Sequence, residues 1–287
     1  MTNAVEAFDA IIIGAGAAGL MCALTAGQRG RKVLLLEHTD KVGAKILISG
    51  GGRCNFTNLD VVPNRFVSSN PHYCTSALKR YTQHDFIALV ERHGIAYHEK
   101  TLGQLFCDGS ARAIVAMLMA ECARGGVDVR LGQTVSSISR GDTFLIDTQT
   151  AQFTAPALVL ASGGLSIPKM GASGFAYDVA RQFDLRVVEP LPGLVPLKAA
   201  PENEVFDAAL AGVSVDAAVT FGKQTFRENV LFTHRGLSGP AILQISSYWK
   251  PGNTIAVDLL PGRDAFAFLS ERKRARSKAT VPTVLSD

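Results

Sequence analysis

The sequence predicts an α/β fold that begins with a Rossmann-like dinucleotide-binding domain and continues into a smaller, β-rich (α+β) domain. Three observations predict it: a glycine turn between a buried strand and a helix, a second buried strand soon after, and a cluster of prolines near Leu191 that is followed by alternating apolar residues. The length of 287 residues suits one large domain with a second one inserted or attached.

The first strand, turn and helix occupy the start of the chain. Residues 8–13 are apolar and β-branched, as in a buried parallel strand, residues 20–29 read as a helix, and residues 32–37 read as a second strand. The uncharged run 10–28 has the length of a membrane span, but it divides into strand, turn and helix. We therefore expect no membrane association.

The glycine turn itself indicates phosphate binding. Gly14 permits a tight turn, Gly16 lets backbone N–H groups approach a pyrophosphate, and Gly19 lets the helix pack closely on the sheet. Glu37 follows 18 residues after Gly19 at the end of the second strand, where a carboxylate accepts hydrogen bonds from ribose hydroxyls and repels a 2′-phosphate. The pattern predicts a dinucleotide site for a ligand other than NADP.

The remaining elements are predicted from periodicity and turn residues. Pro190, Pro192 and Pro196 mark a boundary, so we expect a first domain at residues 1–190 and a second at 191–287. In the second domain, Ser238 is a predicted N-cap for a helix that runs to Ser247. Helices are predicted at residues 73–81, 85–93, 111–124 and 174–183, and strands at 97–100, 104–107, 127–131, 135–139, 144–148, 157–161, 213–219 and 254–260.

A second glycine-rich segment, Ser49–Asn55, lies in a predicted loop at residues 42–58. Three consecutive glycines let the backbone approach a ligand, and Arg53 offers a fork of donors to phosphate or to an electron-rich ring edge. A flexible surface loop is the simpler alternative. Cys54 is a candidate redox thiol, although a small packed side chain explains it as well.

At these motifs the chain resembles the BaiN-like or aminoacetone-oxidase-like FAD-binding oxidoreductases. The matching stretches include AIIIGAGAAGL, KVLLLE, ISGGGRCNFTN, LVLASGG, GLVPL and LFTHRGLSGPAIL. The resemblance implies an extended FAD with an inserted domain covering the flavin face. Ser162 stands where most relatives have Thr. The implied cofactor-binding residues are Gly14, Ala15, Gly16, Ala18, Gly19 and Glu37 for the ADP half, Val135 near the adenine, Gly51, Gly52, Arg53 and Asn55 towards the flavin, and Ser162, Gly163 and Gly164 on the far side.

The family pattern continues beyond Asp287 with a returning strand and a glycine-containing helix start. We therefore expect a C-terminally truncated chain with an incomplete FAD site. His234, in the THRGLSGP stretch, is a second candidate for the substrate side, and a structural histidine is its simpler interpretation. Lys45 and Lys169 follow glycine-rich turns and could contact phosphate, although exposed lysines are again the simpler interpretation.

Composition limits the other function classes. Hydrophobic residues make up 47% and charged residues 19%, which excludes a disordered chain and a coiled coil. The five cysteines form no C-x-x-C pair, so we expect a cytoplasmic protein with no metal site and no disulfide scaffold. The net charge of +4 resides mainly in residues 271–287, so a nucleic-acid interpretation would rest on that short run alone. A solvated helix face or chain end is its simpler interpretation, and we expect no nucleic-acid partner.

The leading hypothesis is an FAD-dependent oxidoreductase that acts on an unidentified small molecule, with NAD(P)H or oxygen as its redox partner. One alternative is a non-catalytic dinucleotide-binding fragment of a truncated flavoprotein. Another is an NAD-dependent dehydrogenase, which would carry the same glycine turn. A third is an FAD-dependent RNA-modifying protein that uses the basic tail.

Overall fold

The structure is a computed structural model that describes residues 5–199, 208–276, 278 and 280. Internal contacts divide the chain into a first unit of residues 1–188 and a second unit of residues 189–287. This division lies beside the predicted boundary at residue 191. The roles that the sequence assigns to the two predicted domains stay predictions.

The strands of the described residues follow the chain in this order: β1 (Glu6–Ala7), β2 (Ala10–Ile13), β3 (Val33–Leu36), β4 (Asn55–Asn58), β5 (Tyr97–Glu99), β6 (Gln104–Cys107), β7 (Asp128–Arg130), β8 (Val135–Arg140), β9 (Phe144–Thr148), β10 (Gln152–Ala155), β11 (Ala157–Leu160), β12 (Leu197–Lys198), β13 (Ser214–Phe221), β14 (Gln224–Thr233), β15 (Gly236–Ser238) and β16 (Ala256–Asp258).

The α-helices of the same residues are α1 (Ala17–Gln28), α2 (Ala44–Ile48), α3 (Thr75–Arg80), α4 (Gln83–Arg92), α5 (Arg112–Arg124), α6 (Phe175–Gln182), α7 (Pro240–Ser246) and α8 (Ala265–Ala275). Short 3₁₀ turns occupy Ser49–Gly52, Pro63–Arg65, Pro168–Met170 and Ala208–Leu210.

A parallel sheet of order β11-β2-β3-β7 is the centre of the first unit. Because side chains alternate along a strand, Ile12 and Leu35 enter one core with α1 and α5, while Ile11 and Leu34 enter a second core on the other face. The predicted strand–helix–strand start and the α/β class are confirmed. The second core is shared with a sheet of order β1-β10-β9-β8, whose strand β10 the sequence did not predict.

The glycine-rich segment is more ordered than the predicted loop. It contains α2, a 3₁₀ turn and β4, and β4 pairs with β6 in a sheet of order β4-β6-β5. Gly50 and Gly51 have φ values of +57° and +67°, which side chains rarely tolerate. Bonds from Cys107 N to the Arg53 carbonyl and from Ala111 N to the Gly52 carbonyl hold the turn. These partners are distant in sequence, so a local pattern could not reveal them.

The second unit is an antiparallel sheet of order β12-β15-β14-β13-β16, with α7 packed on β13 and β14. Its core includes Val230 and Ile242. The predicted N-cap at Ser238 is wrong, because Ser238 ends β15 and Gly239 begins the helix with no side-chain cap. Gly239 is required there: it has φ +91°, and a Cβ would lie 2.5 Å from the Asn229 carbonyl oxygen.

None of the helices in the described ranges combines the length and the apolar character that crossing a bilayer requires.

Candidate functional site

The glycine turn joins the carboxyl end of β2 to the start of α1. Gly14 has φ +109°, and a Cβ there would lie 2.5 Å from the Ala161 carbonyl oxygen at the end of β11. A Cβ on Gly19 would overlap the Gly14 carbonyl oxygen, whereas a Cβ on Gly16 would meet nothing within 4 Å. The absence of a side chain at Gly14 and Gly19 therefore lets neighbouring backbone segments pack closely, whereas the space beside Gly16 is open. Helix α1 starts without a side-chain cap, so its first N–H groups remain available to an anion.

Glu37 is fixed directly beside this turn. It is 8% exposed, and its Oε2 accepts a hydrogen bond from Ala15 N at 2.9 Å. Its Oε1 accepts from Thr39 N at 3.0 Å and from Thr39 Oγ1 at 2.9 Å, and it also lies 3.0 Å from His38 Nδ1. Oε2 accepts only the bond from Ala15, so this oxygen keeps a lone-pair site for a further donor. The arrangement therefore fixes an acceptor at the point where a ribose would lie.

A cleft of two adjoining cavities, of about 160 and 250 Å³, opens beside these residues. The smaller cavity includes the apolar side chains of Ile13, Val135 and Phe175, against which an aromatic base could pack. The larger one contains the open helix N-terminus together with Lys41 and Lys45, and it suits a pyrophosphate. The smaller cavity is lined by Ile13, Gly14, Glu37, His38, Gln133, Thr134, Val135, Ser162, Gly171, Ser173 and Phe175. The larger is lined by Gly14, Ala15, Gly16, Ala17, Ala18, Glu37, His38, Thr39, Lys41, Gly43, Ala44, Lys45, Ile46, Ala161, Ser162, Gly163, Met170, Gly171 and Ala172.

Ser162 provides an independent indication of a polar ligand group at the cleft. Its Oγ is buried without a hydrogen-bond partner among the described residues, and the residue lines both cavities. A buried hydroxyl without a partner is costly, so a polar ligand group is expected next to it. Together with the open space at Gly16 and the carboxylate of Glu37, this donor fits the ADP half of a dinucleotide.

The structure brings together only part of the predicted site. Of the predicted residues, those that line the cleft are Gly14, Ala15, Gly16, Ala18, Glu37, Val135, Ser162 and Gly163. Gly19 supports the turn from within α1, and a Cβ on Gly164 would lie 2.9 Å from Tyr177 Oη. Gly51, Gly52, Arg53 and Asn55 line neither cavity of the described residues. Their contact with the flavin stays a prediction.

The two candidate catalytic residues lie in different units. Cys54 is 5% exposed, has φ +53°, and packs in the core beside Cys107. Burial raises the pKa of the Cys54 thiol, against a smaller opposing effect of Ser49. His234 is exposed in the turn between β14 and β15. A catalytic role for either residue stays a prediction.

Several cleft residues carried no signal in the sequence. His38, Gln133 and Phe175 reach the cleft from three separate segments of the first unit. Gly171, with φ +82°, lies so close to His38 that a Cβ would come within 2.8 Å of Nε2. A glycine with positive φ beside a buried strand is a general hint of close approach, but nothing in the sequence identifies its partner. The described residues contain no group of three or more His, Cys, Asp and Glu side chains placed to hold a metal ion.

The fold and the cleft together define a Rossmann-type dinucleotide-binding domain. The chain belongs to the HI0933-like family: the family model described as the HI0933-like protein Rossmann domain matches residues 8–235, and that described as the HI0933-like protein barrel and H2TH domain matches residues 191–287. This is a family of FAD-binding oxidoreductases, so the prediction of FAD is confirmed. That FAD lies in this cleft, on the predicted residues, stays a prediction.

Three curated relatives show how far the similarity extends. The chain is 53% identical over 283 residues to the ribosomal RNA dihydrouridine synthase of Escherichia coli strain K12, covering 98% of this chain and 71% of the relative. It is 45% identical to the protein of the same name from Haemophilus influenzae, covering 96% of this chain and 70% of the relative. A 3-dehydro-bile acid delta(4,6)-reductase of Clostridium scindens is 28% identical, with coverages of 88% and 65%.

Proposed function

We propose that this protein is an FAD-dependent reductase that saturates a carbon–carbon double bond conjugated to a carbonyl group, and that its substrate is a uridine base in ribosomal RNA. The observation that carries the substrate is the 53% identity over nearly the whole chain to an enzyme with that name. The geometry supports the binding of a dinucleotide cofactor, because the cleft offers a ribose acceptor, an open helix N-terminus and an unpartnered buried hydroxyl.

The chemistry of the two named reactions is of one kind. Dihydrouridine is uridine with its C5–C6 double bond saturated, and that bond is conjugated to the C4 carbonyl. The C. scindens name also describes reduction of double bonds in a 3-oxo compound. In such a reduction a hydride adds to the carbon β to the carbonyl and a proton adds to the α carbon. The hydride would come from the reduced flavin of bound FAD, and NAD(P)H is the proposed reductant that would convert the oxidised flavin to this reduced form.

The chain's own part in this reaction is to hold and orient the cofactor. Glu37 fixes the ribose, the start of α1 binds the pyrophosphate, and the apolar cavity around Val135 and Phe175 excludes water from the adenine. The flavin end of the cofactor would extend from this cleft towards the substrate.

Helix α8 of the second unit supports the RNA part of this proposal, which differs from the expectation of no nucleic-acid partner. Its last turn holds Arg272, Lys273 and Arg274, and the helix has no buried residue. Phe266 is 82% exposed at the other end of the helix. Cations bind RNA phosphates, and an exposed aromatic ring can stack on an unpaired base.

The decisive test is complementation in an E. coli strain that lacks the 53% identical relative. Expression of this chain should restore the mass gain of two hydrogens in a ribosomal RNA uridine, and Glu37→Ala should not restore it. If the chain binds FAD but restores no dihydrouridine, the RNA proposal is wrong. In that case the purified, FAD-loaded chain is given a conjugated 3-oxo steroid and NADPH. Turnover would support a small-molecule reductase, and its absence would support the non-catalytic alternative.

A further inference from the structure

A hydrogen bond beside the larger cavity joins two segments that are far apart in sequence. Lys45 Nζ donates to Ser166 Oγ at 2.9 Å; Lys45 is half-buried and lines the cavity, whereas Ser166 is exposed. The segment after β11 that holds Ser166 also contributes Ser162, Gly163 and Met170 to the cavity. This contact therefore joins two walls of the cofactor cleft.

Helix α2 positions Lys45 relative to the glycine turn. The N–H of Gly43, which precedes α2, donates to the Ala15 carbonyl oxygen at 2.9 Å. Gly43 has φ +66°, so α2 starts immediately after this contact. The base of the Lys45 side chain is thus fixed to the same turn that starts α1.

The ammonium group lies at the cavity and not on an unrelated surface. Lys45 Nζ is 3.8 Å from the position that a Cβ on Gly163 would take, and both residues line the larger cavity with Gly14, Gly16 and Ala18. Gly163 has φ +82°, a backbone conformation that residues with a side chain rarely adopt. The backbone next to the ammonium group therefore carries no side chain that would keep a ligand away.

The charges of the larger cavity favour an anion. Lys41 and Lys45 both line it, while the carboxylate of Glu37 is already engaged by Ala15, Thr39 and His38. The unpartnered Oγ of Ser162 independently indicates a polar ligand at this place. A pyrophosphate, whose phosphates are ionised at neutral pH, satisfies both features.

We propose that Lys45 is a pyrophosphate-binding residue of the FAD site and that it exchanges its bond to Ser166 for a phosphate oxygen when the cofactor binds. Ser166 offers Lys45 a neutral acceptor at the surface, whereas a phosphate forms a stronger, charge-assisted bond. This inference concerns the cofactor alone and does not depend on the identity of the substrate.

The test compares the binding of ADP, FAD and adenosine to the cofactor-free protein by calorimetry. Lys45→Met should raise the Kd for ADP and FAD about tenfold and leave that for adenosine unchanged, because only the phosphates lose a partner. Lys45→Arg should stay close to wild type. Lys169→Met is the matched control, since Lys169 is exposed on the same segment as Ser166 and lines neither cavity of the described residues.

The Ser166→Ala variant distinguishes two roles of Lys45: binding a phosphate of the cofactor, or tying two segments of the protein together. If Lys45 exchanges partners, Ser166→Ala frees it and the Kd for ADP should be unchanged or lower. If the bond is only a tether, Ser166→Ala and Lys45→Met should weaken ADP equally, which overturns the proposal. Wild-type ADP affinity in Lys45→Met, or an equal loss for adenosine, also overturns it. Circular dichroism checks folding, and Lys45→Gln is the second neutral variant.

Discussion

The backbone N–H of Ala15 donates a hydrogen bond to Glu37 Oε2 at 2.9 Å, so one carboxylate joins the glycine turn to the end of β3. The two residues are 22 positions apart in the chain. The parallel pairing of β2 with β3 brings them together, because it aligns the carboxyl ends of both strands at one edge of the sheet. The turn and the ribose acceptor are therefore positioned as a unit before any cofactor binds.

Removing this carboxylate should weaken both the fold and the cofactor site. Glu37→Ala leaves the N–H groups of Ala15 and Thr39 without their acceptor, and we expect a loss of about 1–3 kcal/mol in the free energy of unfolding. FAD affinity should fall at least about tenfold, as when one charge-assisted bond is lost. Urea melts and FAD titrations measure the two effects. Glu37→Gln is the control that keeps the shape, and equal FAD binding in Glu37→Ala would contradict the assignment.

Two glycines of the same turn should respond differently to alanine. Gly19→Ala places a Cβ against the Gly14 carbonyl oxygen, so it should destabilise the protein by about 1–3 kcal/mol or more. Gly16→Ala meets no atom within 4 Å, so the fold should persist while the added methyl obstructs the phosphate. Thermal melts of the cofactor-free proteins, followed by FAD titration, distinguish the two outcomes. A cofactor-free Gly16→Ala that melts as low as Gly19→Ala would contradict this division of roles.

The sequence was most informative where structure is local and least where it depends on distant pairing. The turn from Gly14 to Gly19 was readable because strand, turn and helix are contiguous, and Glu37 followed from the next strand. By contrast, His38 and Phe175 reach the cleft from segments with no motif, through the packing of Gly171 and α6. The segment around Arg53 was predicted as a loop. Its order could not be predicted, because the backbone N–H groups that hold it belong to Cys107 and Ala111, more than fifty residues further along the chain.

A buried ion pair of the first unit should make stability depend on acid pH. Glu121 is 3% exposed and contacts His93 Nε2 at 2.7 Å, Gln28 Nε2 at 2.7 Å and Arg124 Nη1 at 2.8 Å. The His93 contact, followed by those of Gln28 and Arg124, holds the pKa of Glu121 below its ordinary value. A lowered carboxyl pKa stabilises the folded state above the unfolded pKa of about 4.3, and this contribution is lost as the pH falls through the folded pKa.

We therefore expect the free energy of unfolding to decrease below about pH 4.5, and Glu121→Gln to remove part of that slope. Urea melts from pH 6 to pH 3 measure it. Asp85 also has a lowered pKa, owing to its bonds with Thr82 in the cap of α4, so Asp85→Asn serves as a comparison at an exposed site. An unchanged slope in Glu121→Gln would show that the contacts with His93 and Arg124 do not couple to folding.

Cys54 should prove to be a packing residue. Its thiol is buried and its pKa is raised by that burial, so at neutral pH it stays protonated and is a poor nucleophile. Cys54→Ala should keep the FAD content and the rate at which NADPH reduces bound FAD, with a loss of stability of about 1 kcal/mol from the small cavity. Cys122→Ala is the matched control, because Cys122 is also buried and its thiol donates to the Leu20 carbonyl oxygen.

Alkylation of native protein by iodoacetamide should be slow at neutral pH and should accelerate only as the pH rises towards the raised thiol pKa values. A loss of flavin reduction on the order of a thousandfold in Cys54→Ala, with Cys122→Ala unaffected, would instead identify Cys54 as a catalytic thiol.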